Sequence, residues 1–130
     1  MSQLINDLQR ARKELAGKWC QGDFVVTDEQ TGKVCQVCAC GSLGVSLGEE
    51  DSYFVARMTE EASPKKYRRF HRMAAALFKA IPKWAQQQAK DNVDTPAQAL
   101  SNYNEDSTCT KRTMLGVFDR TIKRLKEGKR

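Results

Sequence analysis

Leu4, Leu8, Ala11, Leu15 and Trp19 recur at steps of three and four, with Ile5 beside them and Gln9, Arg10, Arg12 and Lys13 between. One apolar stripe at that period predicts an amphipathic helix over about residues 2–17. Ser2 stands as its N-cap and Gly17 as its stop. A second stripe, Tyr67, Phe70, Ala74, Leu77, Phe78 and Ile81, follows Ser63-Pro64, which has the form of a cap and a first-turn proline. It predicts a helix over about 64–80, stopped or kinked by Pro82. Residues 83–93 are helix-compatible but more polar, and Asp94-Thr95-Pro96 opens a shorter helix, about 96–102. Asn102 to Ser107 is rich in turn formers and reads as a loop. Thr110 then caps a last helix whose Met114, Phe118, Ile122 and Leu125 keep to one face until Gly128.

Between residues 20 and 60 the period changes. Phe24-Val25-Val26 and Val34-Cys35-Gln36-Val37-Cys38 flank Asp28-Glu29-Gln30-Thr31-Gly32, the pattern of a β-hairpin. Residues 34–46 also fit a buried helix of small residues, against which Gly41 and Gly44 count without excluding it. Tyr53 to Met58 fits a short strand or one helical turn. These elements predict a mainly α, small single-domain fold over 1–130, with a short hairpin near 24–38.

The chain has 130 residues, 40% hydrophobic and 29% charged, which excludes a disordered polar tract. No apolar run approaches the roughly 18–20 residues of a spanning helix. The polar, acidic start at Met1-Ser2-Gln3-Leu4-Ile5-Asn6-Asp7 does not build a secretory signal. The expectation is a soluble cytoplasmic protein.

The net charge of +6 conceals a segregation. Residues 62–90 carry Lys65, Lys66, Arg68, Arg69, Arg72, Lys79, Lys83 and Lys90 and no acid, whereas residues 91–110 carry four acids and no base. Residues 111–130 are basic again, with Arg112, Arg120, Lys123, Arg124 and Lys126 on the last helix. On a helix, Lys65, Arg68, Arg69 and Arg72 fall on one face, opposite Phe70, Ala74 and Leu77. Such rows favour an anionic partner. The expected contacts are Lys65, Lys66, Arg68, Arg69, Arg72, Arg120, Lys123 and Arg124, with a nucleic acid, nucleotide, acidic protein surface or host protein as partner and no membrane. No helix-turn-helix, zinc-finger or RNP motif is present, so base-specific reading is not expected.

Five cysteines without a secretory signal read as thiols or ligands rather than disulfides. Cys20, Cys35, Cys38 and Cys40 could supply four thiolates to zinc, although one C-x₂-C pair lacks a second and a helix would turn Cys38 and Cys40 apart. A thiol enzyme would use Cys20 or Cys38 with His71, the sole histidine, as base. The principal expectation is neither cofactor nor catalysis, with small buried thiols packing beside Gly41 and Gly44.

Four segments in order resemble an uncharacterised bacterial and phage family, one of the domains of unknown function. They are Trp19-Cys20-Gln21-Gly22, Cys38-Ala39-Cys40-Gly41-Ser42-Leu43, Tyr103-Asn104-Glu105, and the Thr110-capped helix with Phe118-Asp119. The third departs from the family's more usual Trp-Asn-Asp. The resemblance implies a helical second segment and a common centre of Cys20, Gln21, Cys38, Asn104 and Asp119. Cys, Gln and Asn together would suit a papain-like arrangement; the alternative is that Gln21, Asn104 and Asp119 cap helices and loops. The family carries no established activity. The small size, the missing catalytic set and the basic helices lead to the expectation of a non-enzymatic phage or bacterial accessory binding protein, such as a host-takeover or anti-defence inhibitor.

Overall fold

The apolar stripes become buried helix faces in the computed structural model, which describes residues 2–128. In chain order the elements are α1 (Gln3–Lys18), β1 (Val25–Thr27), β2 (Val34–Val37), α2 (Ala39–Ser46), α3 (Phe54–Arg57), α4 (Pro64–Phe78), α5 (Lys83–Asp91), α6 (Pro96–Glu105) and α7 (Lys111–Lys126). The protein is mainly α, with one two-stranded antiparallel hairpin. Lys129 and Arg130, part of the last basic block, lie outside the described residues.

α1 starts where Ser2 predicts, the Ser2 hydroxyl accepting from the Ile5 amide at 3.2 Å. It does not stop at Gly17. The helix runs to Lys18, and the Trp19 amide still bonds the Leu15 carbonyl. The glycine that turns the chain is Gly22, at φ 100°, a conformation that disfavours a side chain. Ile5, Leu8, Ala11 and Leu15 are buried, and α1 packs against α2, α4 and α7.

The hairpin pairs Val25 with Val37 and Val26 with Gln36, then slips so that Thr27 faces Val34 and Cys35 is left as an extra, exposed residue. The Asp28 carboxylate accepts from the Gln30 and Thr31 amides in the connecting turn. The contested segment divides in two. Residues 34–37 are strand, and 39–46 are a helix buried from Ala39 to Gly44 whose glycines answer a packing demand. A Cβ on Gly41 would lie 1.6 Å from the Phe24 carbonyl oxygen, and one on Gly44 would lie 2.8 Å from the Phe54 ring. The Phe24 carbonyl also accepts from the Cys38 amide. Small residues let the hairpin backbone and a ring approach α2 closely enough to seal the core.

α4 begins at Pro64 and ends at Phe78, two residues short of expectation, and Pro82 serves as the cap of α5. α6 is longer than its sequence predicts. Instead of a loop from Asn102, the helix continues to Glu105 because Tyr103 and Asn104 are buried and bonded. Thr110 and Thr113 form a reciprocal capping box at the start of α7, as the last stripe requires. The core joins Leu8 and Leu15 of α1, Leu43 of α2, Phe54 of α3, Met73 and Leu77 of α4, Leu100 of α6 and Phe118 of α7. No helix among the described residues is long and apolar enough to cross a membrane.

Candidate functional site

The expected centre assembles around Asn104, which is 0% exposed. Its Oδ1 accepts from the Trp19 indole at 2.9 Å and from the Ala39 amide, the first residue of α2, at 3.0 Å. Its Nδ2 donates to the Cys20 carbonyl at 3.1 Å. The Gln21 side-chain amide donates to the carbonyls of Asn104, Asp106 and Cys109, closing the end of α6. The Gly22 amide, in turn, donates to both carboxylate oxygens of Glu105. The first three segments of the resemblance therefore form one polar junction that ties α1, α2 and α6 together. Asp119 is not part of it; it pairs with Arg12 across α1 and α7 at 2.5 Å, well exposed.

This junction is occupied by its own bonds. A papain-like role needs a Gln amide free for an oxyanion and an Asn free to orient a base. Here both side chains are engaged with backbone. The thiols show the same bias. Cys38 caps α2, accepting from the Gly41 amide at 3.3 Å, and burial pushes its pKa up to about 12. Burial also raises Cys20, Cys40 and Cys109, each against the depressed pKa that makes a reactive thiolate. His71, its own pKa lowered by burial, lies tilted against Tyr67 and edge-on to Phe70 and hydrogen-bonds neither Cys20 nor Cys38.

Nor do the four candidate zinc ligands converge. Cys35 donates to the Val26 carbonyl, Cys40 to the Ala97 carbonyl and Cys20 to the Asp23 carbonyl. No three His, Cys, Asp or Glu side chains among the described residues are grouped as a metal site. Cys38 is the extended N-cap of α2 and Cys40 lies inside the helix, and the two thiols make different bonds, Cys38 with the Gly41 amide and Cys40 with the Ala97 carbonyl.

The basic row on α4 divides by partner. Arg69 makes two bonds to Asp7, at 3.0 and 2.8 Å, and the Asp7 side chain is only 2% exposed. Lys66 pairs with Glu49 at 2.8 Å. Lys65, Arg68, Arg72 and Lys79 are exposed and have no ion-pair partner among the described residues. On α7, Arg120 and Arg124 donate to the Ala80 and Ala76 carbonyls at the end of α4, which brings the second basic helix against the first. Lys123 is exposed and unpaired among the described residues. Arg124 Nε is buried without a partner there. Arg72, Lys79 and Arg124 line a groove of about 580 Å³ that Leu4, Ile5 and Leu125 floor, and no Asp or Glu among the described residues lines it. Sequence reasoning placed Arg69 on that row and missed Asp7. The available signal was its position, three residues after Leu4 and four before Ala11, inside the apolar stripe of α1.

Fold and junction together define a small helical domain whose polar centre is bonded within itself and whose free charge lies outside it. The chain belongs to a family of unknown function (DUF6197), whose family model matches residues 1–124. No curated protein and no solved structure matches it.

Proposed function

We propose that the protein is a non-enzymatic binding module that docks the phosphate backbone of a nucleic acid on the face shared by α4 and the end of α7. The observation that carries this reading is the groove lined by Arg72, Lys79 and Arg124, with no Asp or Glu among the described residues on it, continued along α4 by Arg68 and Lys65. From Lys65 to Lys79 the row extends about 21 Å along the helix at 1.5 Å per residue. Exposed cations without internal partners keep their full charge for an external anion and lose only hydration on contact. Arg69 is withdrawn from the expected contact set, since its guanidinium neutralises buried Asp7. Arg120 and Arg124 act in part by holding α7 against α4. A phage or bacterial accessory factor that blocks a host surface would need no more than such occupancy.

Fluorescence anisotropy with a labelled 20-mer, single- and double-stranded, tests the reading. With about four phosphate contacts, raising salt from 50 to 200 mM should weaken duplex binding about 100-fold. Charge reversal at Arg72 and Lys79 together should abolish the same binding, while Lys33→Glu on the hairpin turn leaves it intact. Equal affinity in the reversed variant, or no binding of either strand form by the native protein, would refute it.

A further inference from the structure

A second cavity, about 470 Å³, opens on another face of α4, between that helix, α3 and α6. Its volume lies within the roughly 300–1,000 Å³ of small-molecule clefts. Five rings form a continuous chain along its wall. Phe24 meets Phe54 edge-on at 6.0 Å, Phe54 lies 5.9 Å from Phe70, and Phe70 meets His71 at 5.2 Å. His71 then lies 4.3 Å from Tyr67. All five line the cavity.

The opposite wall, from α6 and its cap, is polar but uncharged, with Thr95, Gln98, Ser101 and Asn102. The Ser101 hydroxyl, Tyr67 hydroxyl and His71 ring nitrogens have no hydrogen-bond partner among the described residues. No Lys, Arg, Asp or Glu among the described residues lines the space.

We propose that this cavity binds an uncharged planar heteroaromatic ring of nucleobase size, stacked against the Tyr67–His71–Phe70 wall with its polar edge on Ser101 and Gln98. Aromatic faces select a flat π-system. Unpaired hydroxyl, imidazole and amide groups supply both donors and acceptors, which a hydrocarbon would leave unsatisfied. The absence of a lining ion disfavours a charged ligand, whose desolvation nothing would offset. Residues 67 and 71 are each followed by a free arginine, Arg68 and Arg72, so the ring is either a free nucleoside or a base on a strand whose phosphates lie on that neighbouring row. The site itself does not depend on the phosphate-docking role.

Amide NMR titration with adenosine, guanosine, cytidine and uridine tests it, with toluene as the ring without a polar edge. At least one nucleoside should shift residues 67–71 and 97–102 saturably, and toluene should bind at least tenfold more weakly. Ala97→Phe, which fills the cavity from α6, should remove the response. Ser101→Ala should weaken binding about fivefold while leaving the melting curve unchanged, a readout that survives if the filled variant misfolds. A trinucleotide that binds more tightly than the nucleoside, with the gain erased by Arg68→Glu, identifies a strand base. A nucleoside that binds when the trinucleotide does not identifies a free ligand. No shift with any nucleoside, shifts that persist in folded Ala97→Phe, or toluene binding as tightly as nucleoside would overturn the proposal. Loss of duplex binding in the Arg72/Lys79 reversal leaves this titration unchanged, so the two readings fail separately.

Discussion

Replacing Asn104 by Ala removes a side chain that bonds three separate segments, and the cost can be worked from its partners. The Ala39 amide, in a fully buried residue, would lose its acceptor, and the Cys20 carbonyl would lose the Nδ2 donor. The Trp19 indole is half-buried and can turn partly to water. A buried polar group left without a partner costs about 1–3 kcal/mol. Two such losses together come to roughly 2–6 kcal/mol, a large share of the about 5–15 kcal/mol that holds a small domain folded. Trp19→Phe is the informative contrast. It removes one donor, but Asn104 Oδ1 keeps the Ala39 amide, so the hydrogen-bond loss should be about 1 kcal/mol. Urea denaturation followed by far-UV circular dichroism measures both. An Asn104→Ala loss under about 1.5 kcal/mol, or one no larger than that of Trp19→Phe, would refute the assignment of Asn104 as the junction's organiser.

Two further perturbations probe the packing and the thiols. Gly41→Ala should prevent stable folding, because the new methyl meets a backbone oxygen, whereas Gly17→Ala meets nothing within 4 Å and should stabilise α1 by about 0.5–1 kcal/mol. Thermal melts of the two variants settle this, and a folded Gly41→Ala would show that the hairpin can withdraw from α2. Alkali should destabilise the protein. The folded state keeps Cys38 protonated up to about 12 while the unfolded thiol ionises near 9.0, so stability is complete below pH 9 and falls as pH rises above it. From Cys38 alone the loss at pH 10 is about 1.4 kcal/mol, with buried Cys40 acting in the same direction. Urea midpoints at pH 7.5 and 10 should therefore differ, and a Cys38→Ser variant should lose part of the difference; a flat profile would contradict the buried-thiol account.

The long amphipathic helices were legible because their burial repeats with the helical period and their ends carry Ser2, Pro64 and Thr110. α2 was not, since Gly41 and Gly44 weaken a helix locally and earn their place only through contacts with Phe24 and Phe54, distant in sequence. The end of α6 misled for a related reason. Asn102, Asn104 and Asp106 are turn formers in isolation, yet Asn104's bonds to three segments outweigh that preference. The thiols and amides of the junction could be grouped by resemblance, but not their direction, and Asp119 was grouped with them without being there. Which arginine of Arg68-Arg69 would turn inward depends on Asp7, sixty-two residues earlier. The five-ring wall draws on the hairpin, α3 and α4, so no local pattern announces it.

The reach of the Asn104 junction also sets an order on synthesis. Trp19 and Asn104 are 85 positions apart. At the roughly 5–20 residues per second of translation, the helix carrying Trp19 would wait about 4–17 s before its partner is even made. During that interval the apolar face of α1 lacks both the α6 junction and α7, and only β2, α2 and then α4 are available to shield it. A nascent chain stalled before residue 104 should therefore be held by chaperones and cut readily by protease, and one extended past α7 should become resistant in a single step.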